Sequence, residues 1–373
     1  MKVLITNTRL DRRGGSEVIV HNLARHLQER GHTVMAYTGH PNEVRRLLDL
    51  DSVPVVNNIR NLNFTPDIIH GQHHLDTMSA VAALPESPAL FHSHGGVWKD
   101  VLPFHPRIYK YIAISRFMAE RHQIESNLSP SQIEILLNGI DVSNFQTVRE
   151  LPSHPKKALL YNRIFHPEHA LTQTIRNACA RHNIELDIIG LAAGNKIDHP
   201  EEVLPTYDVV FASGLSAMDA IACGCAVISL GRTSCGNLVT PVNFDHYREA
   251  NFLTPANASP ATTESVSAEI DRFSPTASQA VTRRLRQEAD FNLVADRLIK
   301  IYESIIAQHE TTHPDFQKES IAFSSYLRTI TPLIKVTDHS LNWETKMPIE
   351  TFDALGELRS QIARVKTELE KLP

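Results

Sequence analysis

Short apolar runs recur along the first three hundred positions, separated by stretches of helical spacing. Val3–Thr6 reads as a buried parallel strand. The loop Asn7–Gly15 closes on Gly14-Gly15, and Ser16 reads as a helix N-cap. Val20, Leu23, Ala24 and Leu27 then repeat on one helical face until Gly31 ends it. Thr33–Thr38 is the next strand. A strand, helix and strand joined by a right-handed crossover begin a parallel sheet. Ile68-Ile69, Ala89–Phe91, Tyr111–Ile114 and Ile133–Leu137 continue the rhythm. This predicts a doubly wound α/β domain over residues 1–150.

Residues 151–157, Leu-Pro-Ser-His-Pro-Lys-Lys, read as a linker. The rhythm restarts at Ala158–Tyr161, Leu186–Ile189, Val209–Phe211 and Ala226–Leu230, predicting a second Rossmann-like domain over 151–312. Residues 257–280 suggest a loop or short helix, and 281–306 amphipathic helices that end this domain. The expected fold class is therefore α/β, two Rossmann-like domains facing a cleft, because such sheets bind ligands at the carboxyl ends of their strands. Residues 313–373 form a helical tail, in which Phe352, Leu355, Leu358, Ile362, Val365, Leu369 and Leu372 make a heptad-like stripe. A helix packed on the body and a short coiled coil joining copies of the chain both fit it.

Composition narrows the classes. Of 373 residues, 42% are hydrophobic and 21% charged, which is ordinary for a folded protein. A net charge of -5 gives no support to nucleic-acid binding. No Cys-x-x-Cys pair joins Cys179, Cys223, Cys225 and Cys235, so zinc-ribbon and thioredoxin chemistry is excluded and inert thiols of a cytoplasmic protein are expected. No apolar run is long enough to span a bilayer, which leaves peripheral membrane contact open.

Candidate chemistry gathers at strand ends. Gly14 and Gly15 let backbone approach a ligand, although a plain tight turn explains them as well. His70, His73, His74, His92 and His94 end two successive strands and can bond sugar hydroxyls or phosphate, or share a proton. A metal site is the rival reading, but no acid stands at an obvious ligand spacing. Asn138-Gly139 suits a turn. Gly214, Leu215, Ser216 and Asp219 follow a strand and open a helix, whose start suits a diphosphate. Ser216-x-x-Asp219 fits a capping box equally well.

Six segments together resemble glycosyltransferase family 4, of the GT-B fold, over roughly residues 1–306. They are Arg13–Glu17, Asp67–His70 with His73, Phe91–Gly95, Ile112–Ser115, Leu137–Asp141 with Phe145, and Asp219–Ile228. The resemblance implies transfer of a sugar from a nucleoside diphosphate sugar to an acceptor, with retention and without a metal cofactor. It implies Gly14, Gly15, Arg163, Gly214, Leu215, Ser216 and Asp219 for the donor. His94 would lie near the transferred sugar, and His70, His73, His92 and Asn138 near acceptor or sugar. The chain departs from the family twice. The lysine expected about five residues after Arg163 is missing, with His169 near its place and Arg232 or Lys196 as substitutes. The first of two paired glutamates would fall at Phe211. With that loss the Gly-x-Ser-x-x-Asp form of 214–219 also resembles inverting GT-B enzymes, which leaves inversion open beside retention. The rival readings are a nucleotide-sugar 2-epimerase, which shares the architecture, and a degenerate member acting as a partner subunit through 352–372. A dehydrogenase is excluded, because Gly-x-Gly-x-x-Gly does not follow the first strand.

Overall fold

The structure, a computed structural model, describes residues 1–10, 14–39, 53–95, 98–126, 128–195, 197–255, 258–312 and 315–338. The stripe at 352–372 and Lys196 lie outside the described residues. The chain divides into two compact units: unit 1 runs from Met1 to Leu136 and resumes at Ala295, and unit 2 is Leu137–Val294.

Unit 1 is built from β1 (Lys2–Thr6), α1 (Gly15–Glu29), β2 (Thr33–Tyr37), β3 (Val55–Val56), β4 (Ile68–Gly71), α2 (His74–Ala83), β5 (Ala89–Ser93), β6 (Ile108–Ala113), α3 (Arg116–Glu125) and β7 (Ile133–Ile135). The strands form one sheet in the order β3-β2-β1-β4-β5-β6-β7. Every neighbouring pair in it is parallel. Val3, Leu4, Ile5, Ile68 and Ile69 are fully buried. That is why these strands read as unbroken apolar runs: both faces of a parallel sheet are covered. The order reverses between β1 and β4, and this switch point leaves a crevice at the carboxyl ends of the two strands.

Unit 2 repeats the plan with β8 (Lys157–Tyr161), α4 (Ala170–Arg181), β9 (Glu185–Ile189), α5 (Pro200–Val203), β10 (Val209–Ala212), α6 (Gly214–Ala222), β11 (Ala226–Leu230), β12 (Cys235–Leu238), α7 (Phe244–Glu249), α8 (Thr263–Asp271) and α9 (Pro275–Glu288). The sheet order is β12-β11-β10-β8-β9, with β12 antiparallel to β11. Its switch point lies between β8 and β10. Two helices follow, α10 (Phe291–Glu310) and α11 (Phe316–Asp338). Tyr326 and Ile330 of α11 join the core of unit 1 with Leu4, Ile69 and Phe91.

These boundaries differ from a division at 150/151 and 312/313. Residues 137–150 are held by unit 2, where Ile140 and Phe145 are buried in its core. Arg149 bonds Asp208 at 2.6 and 2.9 Å, and Gly224 leaves room for its backbone. The prolines at 152 and 155 therefore sit in a loop within a unit. The second boundary falls inside α10, between Val294 and Ala295. Residues 257–280 carry two helices rather than one loop: Thr262 and Ser265 form a capping box before α8, and Ser274 caps α9 with Pro275 at its first turn.

Candidate functional site

In unit 2 the carboxyl ends of β8 and β10 lie side by side, Leu160 opposite Phe211. Arg163 lies two residues past the end of β8, its backbone carbonyl accepting from Ala192 N at 3.0 Å. Gly214 has φ of +59°, in the left-handed region that glycine tolerates, and a Cβ there would meet nothing within 4 Å. It opens α6, whose N-cap Ser213 makes no side-chain cap bond and whose first turn has no acid. Helix geometry leaves the first N–H groups without an internal partner, and the aligned peptide dipoles add partial positive charge. Ser216 is the third residue of α6, inside its first turn. The helix therefore does not begin with a capping box from Ser216 to Asp219. Asp219 is half-buried a turn further on. Arg163 is exposed, and Arg232, exposed, follows β11, the neighbour of β10 on its other side. The helix start is thus uncapped, with Arg163 in the loop after β8 and Arg232 in the loop after β11. Phe211, where the family resemblance sets an acid, is fully buried in β10. His169 is committed elsewhere: its Nδ1 accepts from Leu171 N and caps α4.

Unit 1 has a different edge. Gly14 and Gly15 begin α1, but Glu17 occupies its first turn. A Cβ on Gly14 would lie 2.3 Å from Glu17 Oε2, so the glycine accommodates that carboxylate. Ser16 Oγ donates to the same oxygen at 3.0 Å. A diphosphate would have to displace an anion here, and the structure gives no support to Gly14 and Gly15 as donor contacts.

The histidines separate into distinct roles. His70 is fully buried, with Nδ1 2.6 Å from Tyr302 Oη and Nε2 3.2 Å from His92 Nδ1. Neither nitrogen is left for a sugar, which removes His70 as a direct contact. Nδ1 of His73 accepts from Thr8 N at 3.2 Å, and His73 holds φ of 60°, a conformation that costs a non-glycine residue of order 1–3 kcal/mol. It ties the loops after β1 and β4 together. His74 Nδ1 pairs with Tyr326 Oη at 2.7 Å. His94 lies at the rim, with its ring 4.3 Å from that of His92. Asn138 belongs to unit 2, where Nδ2 donates to Asn251 Oδ1 at 3.0 Å, a structural tie.

Burial holds these imidazoles neutral: His70 is pushed down to about 3 and His94 to about 4, His92 well below its usual value, and His73 to about 2. Asp100, unnoticed in the sequence, accepts from the backbone N–H of His94 at 2.9 Å. Burial raises its carboxyl to about 7. Asp76 is another: its carboxylate takes Thr8 Oγ1 and Gly39 N, both at 2.7 Å, and ties the loops after β1 and β2 to the first turn of α2. Also at this edge are buried polar atoms without a protein partner, namely Asn7 Oδ1, both amide atoms of Gln72, Nε2 of His92 and Nε2 of His94. Single residues in loops give no periodic signal, which is why Asn7, Gln72 and Asp100 pass unremarked. Among the described residues no group of three or more His, Cys, Asp or Glu is arranged to hold a metal ion. Among them, too, no helix is long and apolar enough to cross a membrane.

Comparison with known proteins supports this architecture. Residues 13–144 match the sequence model of Glycosyltransferase Family 4. No curated protein matches the chain. A glycosyltransferase from Rickettsia africae ESF-5 superposes with a TM-score of 0.58 at 13% identity, over 82% of this chain and 98% of that one. Anabaena HepE, crystallised with UDP and glucose, gives 0.57 at 12% identity, over 82% and 100%. A putative UDP-N-acetylglucosamine 2-epimerase from Listeria monocytogenes gives 0.50 at 13%, over 84% and 98%. At such identities the likeness speaks for the fold. With its two units the chain has the GT-B fold of these structures, and its residues 13–144 are similar to Glycosyltransferase Family 4.

Proposed function

We propose that this chain is a glycosyltransferase that takes a sugar from a nucleoside diphosphate sugar and passes it to a hydroxyl-bearing acceptor. The observation that carries this reading is the start of α6 at the switch point of unit 2: uncapped, without an acid in its first turn and opened by Gly214. As the sugar–phosphate bond breaks, negative charge grows on the departing diphosphate. Backbone N–H groups, a helix dipole and guanidinium groups held in place stabilise that charge without a metal. Asp219, one turn on, is assigned to the ribose hydroxyls. In unit 1, His94 is assigned to the sugar. HepE, of the same fold, binds UDP-glucose. The described cysteines are free thiols, which fits a cytoplasmic protein.

Transfer with retention follows from the family resemblance and makes no protein base obligatory. The NMR-observed anomeric configuration of the first product tests it, and an inverted product would pass the base role to His94 or to Asp100. Asp100 gives the epimerase reading a carboxyl that the sequence alone lacked, and the Listeria protein shares the fold. Incubating the chain with UDP-N-acetylglucosamine, with and without acceptor glycans, separates the readings. Epimerisation without acceptor would replace transfer, and binding without turnover would leave a partner subunit. The first test is a thermal-shift series with UDP and UDP-sugars, since a ligand selective for the native state raises the melting temperature. Asp219→Ala should abolish the shift while the fold persists. An unchanged shift removes Asp219 from the site.

A further inference from the structure

A buried line of side chains crosses unit 1 beneath its strand edge. Tyr302 on α10 and His70 on β4 are fully buried, and His92 on β5 nearly so. Tyr302 Oη lies 2.6 Å from His70 Nδ1, and His70 Nε2 lies 3.2 Å from His92 Nδ1. We infer that Tyr302 is a positioning residue: through His70 its hydroxyl sets which nitrogen of His92 carries a proton, and so holds His92 Nε2–H as a donor toward a neutral hydroxyl-bearing ligand at the β1–β4–β5 edge.

The direction follows from proton accounting. A neutral imidazole has one N–H and one lone pair. A phenol proton buried without an acceptor carries the full cost of its desolvation. Among the described residues the Tyr302 hydroxyl bonds His70, so it donates there. Nδ1 of His70 is then the lone pair and Nε2 carries the proton, which is donated to Nδ1 of His92. The proton of His92 must therefore sit on Nε2. The opposite direction would leave the phenol proton bare in the core. Burial keeps the phenol protonated, far above its ordinary titration, and His70 uncharged.

The line ends on unmet demand. Nε2 of His92 is buried without a protein partner, as are Oδ1 of Asn7 and both amide atoms of Gln72. The register sets Ile5 opposite His70 and His70 opposite Leu90. Two residues further on come Asn7, the first residue after β1, Gln72, the first after β4, and His92 on β5. By alternation along β5 His92 shares the face of His70. Together the three residues offer donors and acceptors and no charge, the complement of a sugar hydroxyl, which does both. The ligand half of this inference rests on the sugar-handling role proposed for unit 1; the tautomer half does not.

Nitrogen-15 NMR of the full chain labelled at histidine tests both halves, with His70→Gln and His92→Gln variants assigning the signals. The expected spectrum shows His70 and His92 as Nε2–H tautomers, with Tyr302→Phe moving both toward a mixture while the protein stays folded. A wild-type His70 protonated at Nδ1 overturns the tautomer half by itself, even if the variant fails to fold. So does a His92 signal indifferent to Tyr302→Phe. For the ligand half, methyl α-D-glucopyranoside titrated to its solubility limit should shift His92 Nε2, and UDP should not. No response to the glycoside, or a response to UDP alone, overturns the ligand half and leaves the tautomer result intact.

Discussion

The two units begin a helix in the same way and leave it in opposite states. In each, a parallel strand at the switch point runs into a loop and a glycine opens the helix. At α1 the third helical residue is Glu17, whose carboxylate folds back against Gly14. At α6 the third residue is Ser216, the cap makes no side-chain bond, and Gly214 faces open space. A glycine-led helix start is therefore not by itself an anion site. One first-turn carboxylate satisfies the dipole from within, and its absence leaves the same geometry available to a ligand. Both starts look alike in a motif search; the residue at the third position tells them apart.

The strongest way to break the comparison is to give α6 the acid that α1 has. Ser216→Glu should weaken UDP binding by about 100-fold, about 2.7 kcal/mol, the order of one or two charge-assisted hydrogen bonds lost to a competing carboxylate. Isothermal titration with UDP reads this, and unaltered affinity would place the diphosphate elsewhere. Arg163→Ala follows, with an expected loss of roughly 10- to 100-fold from the same class of bond. Arg163→Lys should recover only part, since an ammonium cannot present the two-pronged fork of a guanidinium.

Acid separates the units by another route. Unit 1 buries neutral imidazoles where unit 2 presents its open helix start. His70 is held at about 3, and His94, His105 and His122 at about 4, against an unfolded value of 6.5. Folded-state values are depressed, so the unfolded chain takes up more protons as pH falls. The stability these groups contribute is complete above pH 6.5 and is lost as pH falls through the folded values. Each titrating imidazole contributes up to about 1.4 kcal/mol per pH unit in that window. Asp100, raised to about 7, opposes them: it favours the folded state as pH falls from 7 toward 3.8. Several imidazoles outweigh one carboxyl. Calorimetry between pH 7 and 5 should show the melting of unit 1 falling by several degrees. A flat profile would mean that those rings are hydrated.

How far the sequence shows all this depends on the kind of signal. Strands such as Val3–Thr6 and Ala226–Leu230 are legible because two-sided burial demands continuous apolar runs. The helix start at Gly214 is legible because a strand precedes it directly. Strand β12, Cys-Gly-Asn-Leu, is not: an antiparallel edge strand needs no apolar run. The unit boundary at Val294–Ala295 lies inside an uninterrupted helix and has no composition mark. The histidines were visible but not their roles. Whether a strand-end imidazole bonds a ligand or a tyrosine 232 positions away depends on α10 packing beneath β4, a long-range event. Gln72 and Asn7 become noticeable only once their neighbours fail to satisfy them.

The smallest expected effect is the most discriminating. Glu17→Gln keeps the shape of the α1 start and removes its charge. If the carboxylate serves only to complete the helix, the change costs about 0.5–1 kcal/mol through the lost dipole interaction, a shift of a few degrees in melting temperature. UDP affinity should then stay where it was, because the helix proposed to hold the phosphates is α6. Tighter UDP binding would show that α1 is an anion site held shut by its own acid, with the resemblance correct about Gly14 and Gly15 after all. Weaker binding would make Glu17 a donor contact. An unchanged affinity beside the collapse in Ser216→Glu would establish that the two helix starts, similar in backbone, divide the work by a single charge.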